Sequence, residues 1–221
     1  PAPLRRRHLH LGGSNPKGEQ ITVTSRYLER NARPWLPVMG EYHFVRDNRE
    51  NWYRELCKMK AGGVDLVATY LFWIYHEEEE GKLDFSGDRD IRAFVLDAKR
   101  AGLEVVLRLG PWAHGECRNG GFPDWLLQKP FPLRQSNPEY MALVRHWYSC
   151  IYREVEGLFF PDGGPIVAVQ LENELTDDAQ HLLDLGVKVK QTKPNPERTY
   201  DEPFVPTLYV PVNIKMDSKW P

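Results

Sequence analysis

Several things are scarce in this 221-residue chain, and each scarcity excludes something. No stretch approaches the roughly 20 apolar residues that a helix needs to cross a bilayer. Three cysteines, Cys57, Cys117 and Cys150, fall at unrelated spacings, which argues against both a disulfide framework and a zinc-ligand pattern. The formal net charge of −2 leaves no basic excess for a nucleic acid or an anionic membrane to read. His43, His76 and His114 also lack metal-ligand spacing, so each reads as a hydrogen-bonded loop histidine and no metal is expected.

What is present is a regular alternation of apolar runs and amphipathic stretches. Residues 1–35 are polar and turn-rich, and Ile21, Val23 and a strand near Tyr27 predict a small hairpin closing one end of the domain. From residue 36 to 221 the pattern is that of a second, larger unit. Leu36 to Phe44 reads as a strand, followed by a helix capped by Asn48, with Trp52, Leu56 and Met59 on one face and Gly62-Gly63 as its stop. Val64 to Phe72 reads as a second strand. Asp88 is expected to cap a helix with Ile91, Phe94, Val95 and Ala98 inward, ended by Gly102. Leu103 to Leu109 is a third strand. Asn137-Pro138 opens a helix whose stripe is Met141, Val144, Tyr148, Ile151 and Val155.

The fourth strand organises the rest. Pro165 to Leu171 is apolar and rich in β-branched residues, yet it ends abruptly in Glu172-Asn173-Glu174. Polar groups at the tip of a buried strand are costly in a core and normal on an active-site rim. A partly desolvated carboxylate there can have its pKa raised enough to deliver a proton near neutral pH. The plainer reading is a polar strand end that caps the next helix.

Strands alternating with helices argue a parallel sheet with right-handed crossovers. All four strands end in polar or aromatic residues on their carboxyl side, whereas the helix-to-strand turns are short and bland. That asymmetry belongs to a (β/α)8 TIM barrel. An open doubly wound sheet would carry a Gly-rich phosphate turn after its first strand, where this chain has Glu41-Tyr42-His43-Phe44.

Five collinear segments carry a resemblance. GEYHFVR (Gly40 to Arg46), MKAGGVDLVATYLFWIYHE (Met59 to Glu77), LDFSGDRDIRAF (Leu83 to Phe94), LRLGPWAHGECRNGGFPDWLL (Leu107 to Leu127) and GGPIVAVQLENE (Gly163 to Glu174) resemble glycoside hydrolase family 35, the β-galactosidases. The resemblance implies a (β/α)8 barrel and retaining hydrolysis of terminal β-galactosides, oligosaccharide or polysaccharide, without a cofactor. It also implies a secreted, periplasmic or lysosome-like compartment.

Carried over residue by residue, it makes Glu174 the general acid/base and Asn173 the partner of the sugar near its 2-hydroxyl. Glu116 becomes a ligand of sugar hydroxyls, and Tyr70 part of the pocket wall. The loop Pro111 to Glu116 departs from better-known members and carries Trp112 and His114 as further candidate sugar contacts, so the substrate reads as a β-galactoside or a related β-glycoside. Aromatic faces and carboxylate or amide partners suit a sugar, which has an apolar face and a fringe of hydroxyls. Plainer readings stand beside these: Tyr70 as a core ring, Glu116 as a turn cap or partner of Arg118, Trp73 and Trp112 as packing, and Glu77 to Glu80 as a solvated loop.

A retaining glycosidase needs two carboxylates about 5–5.5 Å apart, and the resemblance sets the attacking one beyond residue 221. Only four or five βα units are legible, including an apolar run from Val205 to Ile214 as a fifth strand, where closure takes eight. Three expectations follow: a fragment of a longer enzyme, a chain completed by a second polypeptide, or a carbohydrate-binding relative that does not cut. The first is favoured, because half a barrel leaves raw edges.

Overall fold

The computed structural model describes residues 3–6, 11–173 and 175, together with the backbone of Leu208–Val210. Glu174 and the helix expected over residues 176–185 lie outside the described residues.

The amino-terminal segment forms more than a hairpin. β1 (Gly12–Ser14), β2 (Gln20–Val23), β3 (Leu28–Arg30) and β4 (Arg33–Trp35) make an antiparallel sheet in chain order. The short polar strands conceal this meander in the sequence, since only Ile21 is a fully apolar, buried position among them.

The second sheet holds β5 (Met39–Glu41), β6 (Leu66–Tyr70), β7 (Glu104–Arg108) and β8 (Ile166–Leu171), parallel and adjacent in chain order. The crossovers contain α1 (Arg49–Ala61), α3 (Ile91–Ala101) and α5 (Pro138–Val155), with one-turn helices α2 (Trp73–His76) and α4 (Asp124–Leu127) in the loops. α1 packs on α3 and α3 on α5, so the helices line one face. An order that never reverses, with helices on one face, is the winding of a barrel rather than of a doubly wound sheet.

Strand β9 (Leu208–Val210) pairs antiparallel with β8. The apolar run expected as a fifth βα unit therefore covers the free edge of β8, a pairing that needs no crossover helix. The first expected strand is also shorter than its apolar run. Pro37 has no N–H to give a ladder, Leu36 is 80% exposed, and Phe44 turns away to pack edge-on against Trp52 with ring centroids 5.5 Å apart.

Caps differ from the expected pattern in an instructive way. The Asn48 side chain makes no capping bond to α1; Asp88, 39 residues away, accepts from the Arg49 backbone N–H at 2.8 Å instead. The cap of α3 is Asp90, whose carboxylate accepts from the Ala93 N–H at 2.8 Å. Two aspartates two residues apart thus tie the starts of two neighbouring helices together. Asn137 caps α5 as its sequence suggests, accepting from Tyr140 N–H, and Gly102 ends α3 at a φ of +79°.

The core lies between sheet and helices. Trp52 and Leu56 of α1, Phe94 and Ala98 of α3, and Val144, Trp147 and Ile151 of α5 meet Val67, Val105, Leu107 and Val169 of the strands. Trp73 of α2 stacks face to face on Trp147 at 5.5 Å. The opposite sheet face is apolar at its amino end, where Leu66, Ala68, Val106 and Val167 are covered by Ile21 of β2 and Phe160, with Trp35 alongside. An Arg30–Glu104 ion pair fastens the meander there. The small antiparallel sheet is thus a plug under the amino ends of the parallel strands.

His76 sits within this aromatic core, 1% exposed, stacked on Phe85 at 4.7 Å, with Nδ1 donating to the Asp84 carbonyl at 3.0 Å. Burial lowers its pKa to about 4. As pH falls, the unfolded chain takes up this proton first, near 6.5, and the native chain only near 4. The contribution is therefore complete above 6.5 and is lost between 6.5 and 4, a difference of about 3 kcal/mol. Unfolding free energies of wild type and His76→Phe from pH 7 to pH 4 check this: the wild type loses more stability by that amount, and parallel curves would refute the assignment.

Candidate functional site

The inner sheet face changes character along its length. Strand side chains alternate between faces, so Ala68 and Tyr70, Val106 and Arg108, and Ala168 and Gln170 share the side away from the helices. Each pair is small or apolar toward the amino end and polar toward the carboxyl end. Tyr70, Arg108 and Gln170 also form one register row across β6, β7 and β8.

All three converge on Asn173, two residues past the end of β8. Asn173 Oδ1 accepts from Tyr70 OH at 3.1 Å, from Arg108 Nη2 at 3.0 Å and from Gln170 Nε2 at 3.1 Å. With the amide oxygen so engaged, the Asn173 NH2 group is turned away from this cluster as a donor. Arg108 further donates through Nε to Gln170 Oε1 at 2.7 Å, pairs with Glu41 at the tip of β5, and lies 3.7 Å over the Tyr70 ring. A row of strand-end residues from four parallel strands is thereby tied into one network.

His43 follows β5 and packs at a tilt against the Tyr70 and Phe72 rings, with centroids 5.3 and 5.5 Å away. Burial holds its imidazole below the ordinary value; Arg46 and Arg108 add to that, while Glu41 and Glu116 oppose it. Glu116 and His114 themselves stand on the exposed part of the loop after β7. That loop is seated over the same strand ends. Arg46 donates to the Gly115 carbonyl, and a Cβ at Gly115, where φ is +55°, would lie 2.8 Å from the Phe72 ring. Glycine is what lets the backbone bearing Glu116 approach this closely.

The candidate residues thus separate. Tyr70 and Asn173 touch and are 3% and 6% exposed; Tyr70 is at once a core ring and a member of the polar cluster. Trp112 is half-buried against Phe122 and His114 at 5.4 and 5.1 Å, with Arg134 5.0 Å over its ring. Arg118 pairs with Asp124 rather than Glu116. Glu77 is buried, accepting from the Trp73 indole at 2.6 Å and Gly81 N–H at 2.7 Å, while Glu78, Glu79 and Glu80 pair at the surface with Arg89, Lys82 and Lys129. Arg108 and Gln170 were not among the candidates from sequence. Their signal was a polar residue two places beyond Val106 and Ala168, at the carboxyl end of each strand.

Comparison with known proteins bears on the family and the fold. The family model for glycosyl hydrolases family 35 matches residues 28–203. The chain is 39% identical over 156 residues to a beta-galactosidase of Bos taurus, covering 70% of this chain and 24% of that protein. It is 41% identical over 173 residues to beta-galactosidase-1-like protein 2 of Homo sapiens, covering 78% and 26%. It therefore spans about a quarter of the length of the curated relatives it matches. Among solved structures, a beta-galactosidase from Marinomonas ef1 aligns at a TM-score of 0.50 with 17% identity, over 65% of this chain and 22% of that one. An exo-beta-1,4-mannosidase from an Opitutaceae bacterium aligns at 0.51 with 15% identity, over 75% and 27%. At such identities the structures speak for the fold alone.

The network sets an order of stability costs. Tyr70→Phe removes one of three donors from an acceptor and costs about 1 kcal/mol, whereas Asn173→Ala removes the acceptor that all three share and costs roughly 3 kcal/mol. Urea unfolding of the two variants checks the order; a costlier Tyr70→Phe would contradict the geometry.

Proposed function

This chain belongs to glycosyl hydrolases family 35, and on that premise we propose that it serves a retaining glycoside hydrolase acting on terminal β-galactosides or related β-glycosides. In this reading Glu174 is the general acid/base that protonates the glycosidic oxygen. The attacking carboxylate comes from polypeptide outside these 221 residues and stands about 5–5.5 Å away.

One observation carries the reading. The residue immediately before Glu174 is held by donors from three adjacent strands at the carboxyl end of a barrel-type sheet, the end where this architecture does its chemistry. With its oxygen engaged, Asn173 offers its NH2 to a sugar hydroxyl as a fixed donor. Such pre-orientation favours catalysis because nothing has to reorganise when substrate arrives. Glu116, on a loop anchored beside His43 and Phe72, supplies a carboxylate for sugar hydroxyls. Glu41, at the tip of β5, is paired with Arg108, which disfavours it as the nucleophile.

The second reading, a carbohydrate-binding relative without turnover, draws on the same cluster and differs only in the missing nucleophile. A chromogenic β-galactoside assay and a galactose titration, both on protein that includes the polypeptide supplying the attacking carboxylate, separate the two. Turnover that falls about 10²- to 10⁴-fold in Glu174→Gln supports hydrolysis. Saturable galactose binding without turnover supports the binding reading, and neither turnover nor binding removes both.

A further inference from the structure

A second arginine meets the same strand end from the opposite direction. Glu172, directly after β8, is 3% exposed and has a φ of +59°, a left-handed conformation that a glutamate adopts only when its surroundings enforce it. Its backbone N–H donates to the Gly110 carbonyl at 2.6 Å, and its carbonyl accepts from Gln170 Nε2 at 2.9 Å. Its carboxylate accepts from Arg134 Nε at 3.0 Å, and the same carboxylate oxygen stands 2.9 Å from Arg134 Nη2 as an ion pair. The same Arg134 Nη2 donates to the Asn173 carbonyl at 2.9 Å. Arg134 comes from the segment leading into α5, 38 residues earlier. One guanidinium thus holds the side chain of one residue and the main chain of the next.

Stability alone does not require this arrangement. A buried ion pair is often replaced by apolar residues of similar volume without loss, because desolvating two charges offsets their attraction. What an apolar pair cannot supply is the bond to the Asn173 carbonyl. A lysine can donate to that carbonyl but does not fix it, since an ammonium lacks the planar fork that holds two acceptors in set directions.

We propose that Arg134 is a positioning residue of the sugar site. By bridging the Glu172 carboxylate and the Asn173 carbonyl, it fixes the peptide turn that sets the direction of the Asn173 amide. Asn173 is then held from both sides: its side chain by Tyr70, Arg108 and Gln170, its main chain by Arg134. The functional half of this inference rests on the sugar-binding reading above; the geometric half does not.

The test uses Arg134→Lys and the double variant Arg134→Met with Glu172→Leu, which replaces the ion pair by apolar bulk. Melting temperature, hydrogen exchange at the amide of residue 172 and galactose affinity are measured on the full chain. The expected result is an unchanged melting temperature in the double variant, exchange at residue 172 faster by tenfold or more, and galactose affinity weaker by about tenfold. Wild-type exchange and affinity in that variant would overturn the proposal. If the double variant does not fold, Arg134→Lys carries the same readouts with the same criteria. If wild type binds no galactose, the sugar-binding reading fails separately, and the exchange rate at residue 172 decides the positioning claim.

Discussion

Three hydrogen bonds to one amide oxygen are the constraint on which this site depends. Asn173 Oδ1 takes donors from β6, β7 and β8, and those donors share a register row. Strands in a sheet lie about 4.8 Å apart, so residues in one row reach a common acceptor only if no strand slips. A slip of one residue on any strand would turn its polar tip toward the helices and an apolar residue toward the cluster. Register and site geometry are therefore one property of this sheet.

The rest of the molecule secures that register. Beneath the polar row, Leu66, Ala68 and Val106 are apolar and are sealed by Ile21 and Phe160, which fixes the inner face from below. On the outer face, aromatic packing among Trp52, Phe94, Trp73 and Trp147 fixes it from the helices. Large rings in low-exposure positions each bury on the order of 150–250 Å², so this layer dominates stability and leaves the strand ends free to be polar. Above the row, the loop after β7 is drawn down by Gly115 and Arg46, and the lead-in to α5 by Arg134.

Much of this was legible in the sequence because it is local. The four parallel strands, the three crossover helices and the Asn137-Pro138 start declare themselves by period, cap and stop signals within a few residues. Less legible was everything that depends on partners far along the chain. Asp88 and Asp90 differ by two positions, and only the packing of α1 beside α3 decides which helix each one caps. Arg108, Gln170 and Arg134 look like stray polar residues until strands 62 to 65 residues apart, or a loop 38 residues upstream, are brought to one point. The meander escaped for another reason: its strands are three or four residues long and mostly polar, so the alternation that marks a strand has no length in which to appear. Tyr70 and Asn173 were found because the family resemblance marked them, and geometry then supplied the reason they belong together.

The central claim is that Asn173, locked through its oxygen, presents its amide hydrogens to a sugar. The most direct measurement is a galactose titration of the ¹⁵N-labelled chain, following the side-chain NH2 pair of Asn173, assigned by its loss in Asn173→Ala. The account predicts a saturable shift of that pair with a single affinity, matched by the Tyr70 ring signals. Galactose that binds while the Asn173 pair and Tyr70 stay unmoved would place the sugar elsewhere and contradict the account.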